Sequence, residues 1–195
     1  MTDLFVLTAD TDTLAVMNAV LARPADLGIR PITFEVDRHF GRDPGVMKDG
    51  PELVRMRASK AKFDKVVLLC DYRGSGWERR RTPEDCERRL QERLDGVTWR
   101  DNSRAIVVVP ELETWLCQDL PAVARYLGVN EAGLSSLSDP TERIERSFFH
   151  SRLRRKPRPK DFEEVARRAD VTLWRRDPAF DGLVTTLQAW FQVTA

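Results

Sequence analysis

The stretch Val66-Val67-Leu68-Leu69-Cys70-Asp71-Tyr72-Arg73-Gly74-Ser75-Gly76 decides the fold of this chain. Its first five residues are apolar without alternation, which is typical of a strand buried on both faces at the centre of a parallel sheet. The glycines that follow end the strand sharply. Asp71 is therefore predicted to lie at the carboxyl end of a central strand, where open α/β sheets bind their ligands.

Two other apolar runs resemble this one and also lead into acidic residues. Residues 4–7 precede a segment with two aspartates, and residues 105–109 precede a segment with two glutamates. These acids are Asp10, Asp12, Glu111 and Glu113. Because parallel strands end at the same edge of a sheet, we expect the carboxylates that follow all three runs to converge there.

The rest of the chain predicts an α/β fold with a mostly parallel, four-stranded sheet flanked by helices. A further strand is indicated by the alternating residues 31–37, and helical patterns separate the strands in a β-α-β-α-β-α-β order. Residues 37–45 are predicted to form a loop, and a helix is expected to start at Pro51. We divide the chain into an α/β core (1–119) and a helical C-terminal extension packed on it (120–195).

Composition indicates an ordinary soluble domain. The 195 residues are 42% hydrophobic and 32% charged, with a formal net charge of +1, which argues against a polyanion binder that relies on bulk charge. The three cysteines show no C-x-x-C pairing, so we expect reduced packing residues of a cytoplasmic protein. No apolar run approaches the roughly 18 residues of a membrane span, and no membrane partner is expected.

The converging acids point to a divalent cation. Several carboxylates without lysine partners repel one another, and hard oxygen ligands suit Mg²⁺ or Mn²⁺. The candidate metal ligands are Asp71, Glu111, Asp10 and Asp12. A structural alternative stays open, because Asp10 can simply cap the first helix, and Glu111 and Glu113 can simply favour the positive end of another.

A basic segment lies in the C-terminal part. Residues 146–160 contain seven basic side chains and no acid, and two prolines favour a loop. The basic residues are Arg146, Arg152, Arg154, Arg155, Lys156, Arg158 and Lys160. Such a segment can bind the phosphates of nucleic acid, although a merely solvated loop would have the same composition.

Three segments carry a resemblance to a known family. They are residues 7–12, residues 69–73 and, above all, residues 109–119, which contain Glu-x-Glu-x-Trp-Leu-x-x-Asp from Glu111 to Asp119. The chain resembles small Toprim-like proteins of prokaryotic defence islands, including those of methylation-associated anti-phage systems, and more distantly the Toprim domains of OLD-type nucleases. The resemblance implies a Toprim-like sheet, Mg²⁺-dependent phosphoryl transfer on nucleic acid, and other defence-system proteins as partners.

The resemblance also suggests roles for the site residues. Asp71 and Glu111 would hold the metal, Glu113 or Asp12 would assist, and Arg73 would steady the scissile phosphate. The catalytic set is therefore Asp71, Glu111, Glu113 and Arg73.

The chain departs from the Toprim pattern at two positions. Thr8 stands where the family has its glutamate, and Arg73 stands where it has the second aspartate of Asp-x-Asp. Two hypotheses follow: a nuclease whose site is rebuilt around Asp71 by Glu111, Glu113 or Glu78, or a catalytically inactive scaffold that binds the partner proteins. A small-nucleotide sensor at the same sheet edge is a third.

Overall fold

Four parallel strands form the centre of the structure, a computed structural model that describes residues 2–58, 62–134 and 137–193. The strands are β1 (Thr2–Thr8), β2 (Phe34–Arg38), β3 (Phe63–Asp71) and β4 (Ser103–Val108). They are ordered β2-β1-β3-β4, and every neighbouring pair is parallel. The predicted α/β fold with a parallel four-stranded sheet is confirmed.

β3 is buried on both faces, as its uninterrupted apolar run predicts. It lies between β1 and β4, with Val67 opposite Val6 on one side and opposite Arg104 on the other. Its side chains alternate between two hydrophobic cores, so that Val67 belongs to one core and Leu68 to the other. A buried strand needs apolar residues at every position, because each face packs against a layer of helices.

Helices cover both faces of the sheet. They are α1 (Thr11–Leu21), α2 (Pro24–Leu27), α3 (Arg42–Ala58), α4 (Pro83–Leu94), α5 (Glu113–Cys117), α6 (Leu120–Leu127), α7 (Pro140–His150), α8 (Pro159–Arg168), α9 (Val171–Trp174) and α10 (Pro178–Trp190). Residues of α3 and α4 line one core, whereas the other core is shared by α1 and the helices that follow β4. Among the described residues, no helix is long and apolar enough to cross a membrane.

The start of α3 corrects a prediction. The helix begins at Arg42, inside the expected loop, and continues through Pro51, which was expected to open it. Pro51 has no N–H for the carbonyl one turn earlier, that of Met47. The Arg93 side chain of α4 donates to that carbonyl at 2.5 Å and to the carbonyl of Lys48 at 2.5 Å. An arginine from another helix therefore satisfies the carbonyl that Pro51 leaves unpaired.

The C-terminal helices join the sheet's own core. The indole of Trp115, fully buried, donates to Asp177 at 3.0 Å, and its ring packs against Trp174 and Phe180. Asp177 also accepts from the backbone N–H groups of Ala179 and Phe180, so it caps α10 as well. These contacts fix the segment after β4, where two of the predicted site residues lie.

The three cysteines form no disulfide in the described residues. Cys70 and Cys86 are buried and Cys117 is partly buried.

Candidate functional site

A cavity of about 400 Å³ opens at the carboxyl ends of the strands. The segments after β1, β3 and β4 line it together with the N-terminus of α3. Its lining residues are Asp10, Asp12, Gly41, Arg42, Asp43, Pro44, Asp71, Arg73, Gly74, Glu111, Leu112 and Glu113. The structure thus brings together Asp10, Asp12, Asp71, Arg73, Glu111 and Glu113, the predicted catalytic and metal-binding residues, but not the alternative Glu78.

Asp71 is the most deeply placed acid of this acidic cavity. It is 9% exposed, and its Oδ1 atom is buried without a hydrogen-bond partner. Burial raises its pKa well above the usual range, and the charges of Asp43 and Asp10 add to the effect. An unpaired buried acceptor is costly, so this oxygen is suited to a ligand that the protein itself does not supply.

The neighbouring acids are perturbed in the same direction. Burial raises the pKa of Asp12 to about 6, helped by the charge of Asp10. Burial likewise raises the pKa of Asp43 to about 6, although an N–H donated by Asp71 at 2.7 Å opposes the shift. Burial raises the pKa of Glu113 to about 7, and the nearby Glu111 contributes. A bound positive charge would relieve the repulsion among these carboxylates.

Asp10 has a structural role in addition to its place in the cavity. Its side chain accepts from the backbone N–H of Thr13 at 2.8 Å and caps α1. The alternative interpretation of Asp10 as a helix cap is therefore correct, but one carboxylate can cap a helix and still face a ligand.

Arg73 enters the cavity and binds acids on two other segments. It donates to Glu111 at 2.9 Å and to Asp139 at 2.6 Å. Asp139 is the N-cap of α7, where it accepts from the N–H of Glu142 at 3.0 Å. The hydroxyl of Thr141 also contacts Glu111, on the same oxygen that Arg73 uses. Glu111 is thus held by two donors.

These contacts bear on whether a metal fits. Among the described residues, no three His, Cys, Asp or Glu side chains stand close enough to form a ready-made metal site. Asp71 has an oxygen to offer, whereas Glu111 is engaged by Arg73 and Thr141. Mg²⁺ commonly binds through one or two carboxylates and keeps several waters, so a hydrated ion would not need a ready-made set of three ligands.

Thr8 and Glu78, two residues noted in the comparison with the Toprim pattern, do not line the cavity. Thr8 is fully buried, and its hydroxyl donates to the carbonyls of Asp10 and Asp37 at 3.1 and 3.2 Å. Glu78 accepts from Ser75 at 3.1 Å and does not line the cavity. Glu78 therefore does not rebuild the site in this structure.

Sequence reasoning missed four charged or hydroxyl residues at the site: Arg42, Asp43, Asp139 and Thr141. A signal was present for Asp43, because Asp43-Pro44 has the helix-start chemistry of Asp139-Pro140. The signal was not used, because residues 37–45 were predicted to form a loop. Nothing in the sequence pairs Asp139 with Arg73, because the two are 66 residues apart.

The basic residues of this segment form two groups: some are in ion pairs, and the others are exposed without an ion pair in the described structure. Arg155 donates to Asp161 at 2.6 and 2.8 Å, and Lys156 pairs with Glu145 at 2.9 Å. The other predicted nucleic-acid contacts are exposed and form no ion pair within the part of the chain that the structure describes. They are Arg152, Arg154, Arg158 and Lys160.

The segment is also less of a loop than expected, because residues 146–150 belong to α7 and residues 159–160 belong to α8.

Comparison with protein-family models, with curated proteins and with solved structures finds no match for this chain. The resemblance described above therefore rests on the quoted motifs alone.

Proposed function

We propose that the protein binds Mg²⁺ or Mn²⁺ in the acidic cavity and acts on phosphodiesters of nucleic acid, as a Toprim-like component of a prokaryotic defence system. The observation that carries the proposal is Asp71, a buried carboxylate with an unpartnered oxygen in a cavity of converging acids. The motif from Glu111 to Asp119 supports the link to defence, and other proteins of such a system would be its partners.

The cation would be held by Asp71, with water in the rest of its shell and with Asp43 or Asp10, whose charges act most strongly on Asp71, as a second carboxylate. When bound, such an ion polarises a phosphoryl oxygen and activates water. Two cavity residues carry the opposite charge, Arg42 and Arg73, and Arg73 would orient the phosphate of the substrate. The exposed arginines and lysine of residues 152–160 would bind the backbone phosphates of the nucleic-acid substrate.

Calorimetric titration with Mn²⁺ tests the cation site. The wild type should bind saturably, and Asp71→Asn should weaken binding at least about 100-fold, since even outer-shell changes at metal sites cost about 10–100-fold. Arg154→Ala is the control, because Arg154 is exposed and far along the chain from the cavity. Absence of binding in the wild type, both alone and with an oligonucleotide, would refute the proposal.

Cleavage of labelled single-stranded and double-stranded DNA and RNA then tests the activity. We expect Mg²⁺-dependent or Mn²⁺-dependent cleavage that Asp71→Asn abolishes and a chelator suppresses. Cation binding without cleavage of any of these polymers would remove the nuclease assignment and leave the cation site intact.

A second candidate function is a non-catalytic scaffold for the partner proteins. One observation favours it: Arg73 neutralises Glu111, and the described residues contain no ready-made set of three metal ligands. A scaffold should show neither Mn²⁺ binding nor any effect of Asp71→Asn on partner binding, so the same titration separates the two functions.

A further inference from the structure

We propose that Arg73 is a latch, which withholds Glu111 from the cation until a phosphate group engages the Arg73 guanidinium. Cation and phosphate would then bind cooperatively. The inference rests on the cation site of the proposed function, and it assigns that site a mode of regulation.

The latch is visible as a chain of contacts that links two residues of the cavity lining, Arg73 and Glu111, to Asp139. Arg73 follows β3, Glu111 follows β4 and Asp139 begins α7, and the guanidinium joins the last two at 2.9 and 2.6 Å. The Arg73 side chain is 45% exposed, so an anion in solvent can reach it. Glu111, at 21%, is less accessible.

Arg73 and a cation compete for the same carboxylate. Arg73 and Thr141 both donate to Oε2 of Glu111, so this oxygen already has two donors. A metal ion near Glu111 would also repel the guanidinium, because both carry positive charge. Glu111 can offer Oε2 to a cation without competition from the guanidinium only after Arg73 has turned to another anion.

A phosphodiester is suited to trigger this exchange. Guanidinium binds phosphate through two parallel hydrogen bonds, and its five N–H donors can serve more than one anion. Arg73 would keep its bond to Asp139 while it exchanges Glu111 for the phosphate. The side chain therefore stays anchored during the exchange, and Glu111 is released toward Asp71 and the cation.

Coupling of this kind is reciprocal. If phosphate raises the affinity for the cation by some factor, the cation must raise the affinity for phosphate by the same factor. Couplings between two ligands are typically about 5- to 150-fold. The latch thus predicts a site that binds either ligand weakly alone and both together more tightly.

The test is calorimetric titration with Mn²⁺, with and without dimethyl phosphate, a phosphodiester monoanion that itself binds Mn²⁺ only weakly. In the wild type, dimethyl phosphate should raise the Mn²⁺ affinity about fivefold or more. Arg73→Gln should bind Mn²⁺ about fivefold or more tightly than the wild type without dimethyl phosphate, and should lose the response to it.

Arg42→Gln is the matched control, because Arg42 lines the same cavity and is exposed. It removes one positive charge without releasing Glu111, so it separates general electrostatics from release of a ligand. We expect Arg42→Gln to keep the response to dimethyl phosphate. Thr141→Val provides a second approach, since it removes the other donor to Glu111 without changing charge and should raise the Mn²⁺ affinity by a smaller factor.

The outcomes distinguish the latch from the cation site on which it rests. Binding of Mn²⁺ by the wild type, with equal gains in Arg42→Gln and Arg73→Gln and an unchanged phosphate response in Arg73→Gln, would overturn the latch and leave the site. Binding that appears in the wild type only with dimethyl phosphate, and in Arg73→Gln without it, would support the latch. No binding in any variant, with or without dimethyl phosphate, would overturn both.

Discussion

Asp71 and Asp161 are both buried aspartates, 9% and 2% exposed, in very different surroundings. Asp161, in the first turn of α8, accepts two hydrogen bonds from Arg155, one from the backbone N–H of Arg158 at 2.7 Å and one from the hydroxyl of Tyr126. Asp71 has an oxygen with no partner and further acids around it.

The two environments move the pKa in opposite directions. Burial raises the pKa of Asp161, but the hydrogen bonds from Arg155 and Tyr126 outweigh it, so the pKa lies below the ordinary value. Burial raises the pKa of Asp71, and nearby charges raise it further. A buried acid with a full set of partners holds the fold together, whereas one without partners is available to a ligand.

The largest expected effect is the loss of stability in Asp161→Asn. The amide cannot accept from every donor that Asp161 serves, and it leaves the Arg155 guanidinium without its counter-ion. We expect a loss of about 3 kcal/mol in the free energy of unfolding, measured by urea denaturation. Glu163→Gln, in an exposed ion pair on the same helix, should cost less than about 1 kcal/mol. Equal effects would contradict the structural role of Asp161.

Arg155→Ala should come next, with a smaller loss of stability than Asp161→Asn, because it removes two charge-assisted hydrogen bonds to a buried carboxylate. Arg154→Ala should change stability by less than about 0.5 kcal/mol, since Arg154 is exposed. In a filter-binding assay with oligonucleotides, Arg154→Ala should weaken binding uniformly across sequences. If Arg155→Ala unfolds with the same free energy as the wild type, the structural role of Arg155 is wrong and the residue is again a candidate contact for nucleic acid.

Asp71→Asn should instead stabilise the metal-free protein, by about 1 kcal/mol at neutral pH, because the neutral amide removes the cost of burying a charge beside other acids. The folded-state pKa of Asp71 lies above that of the unfolded chain, about 3.9, so the folded state holds the extra proton. Wild-type stability from this group is therefore present below pH ~4 and falls as pH rises through the folded-state pKa.

The advantage of Asp71→Asn should grow from pH 4 to pH 8. Urea denaturation in the presence of a chelator measures it, and a flat difference between the two proteins over this range would contradict the environment described for Asp71.

Local chemistry made much of the fold predictable. Thr82 accepts from the N–H of Asp85 at 3.2 Å at the start of α4, and Asp139 does the same for α7, as their Thr-Pro and Asp-Pro signals indicate. The continuous apolar run of β3 predicted a central strand, which it is. These predictions hold because caps and strand patterns depend on neighbouring residues. The predicted start of α3 was wrong. Pro51 is tolerated inside the helix because Arg93, 42 residues farther along the chain, donates to the carbonyl that Pro51 leaves unpaired.

For the candidate site, the sequence by itself determined which acids follow the strands. Parallel strands must end at one edge of the sheet, so Asp10, Asp71 and Glu111 had to approach one another once the strands were identified. Tertiary structure alone decided their chemical state. It removed water from Asp71 and added Asp43 beside it, because α3 starts earlier than its sequence indicates. It also joined Arg73 to Glu111, because desolvation and ion pairing depend on three-dimensional distance and not on spacing along the chain.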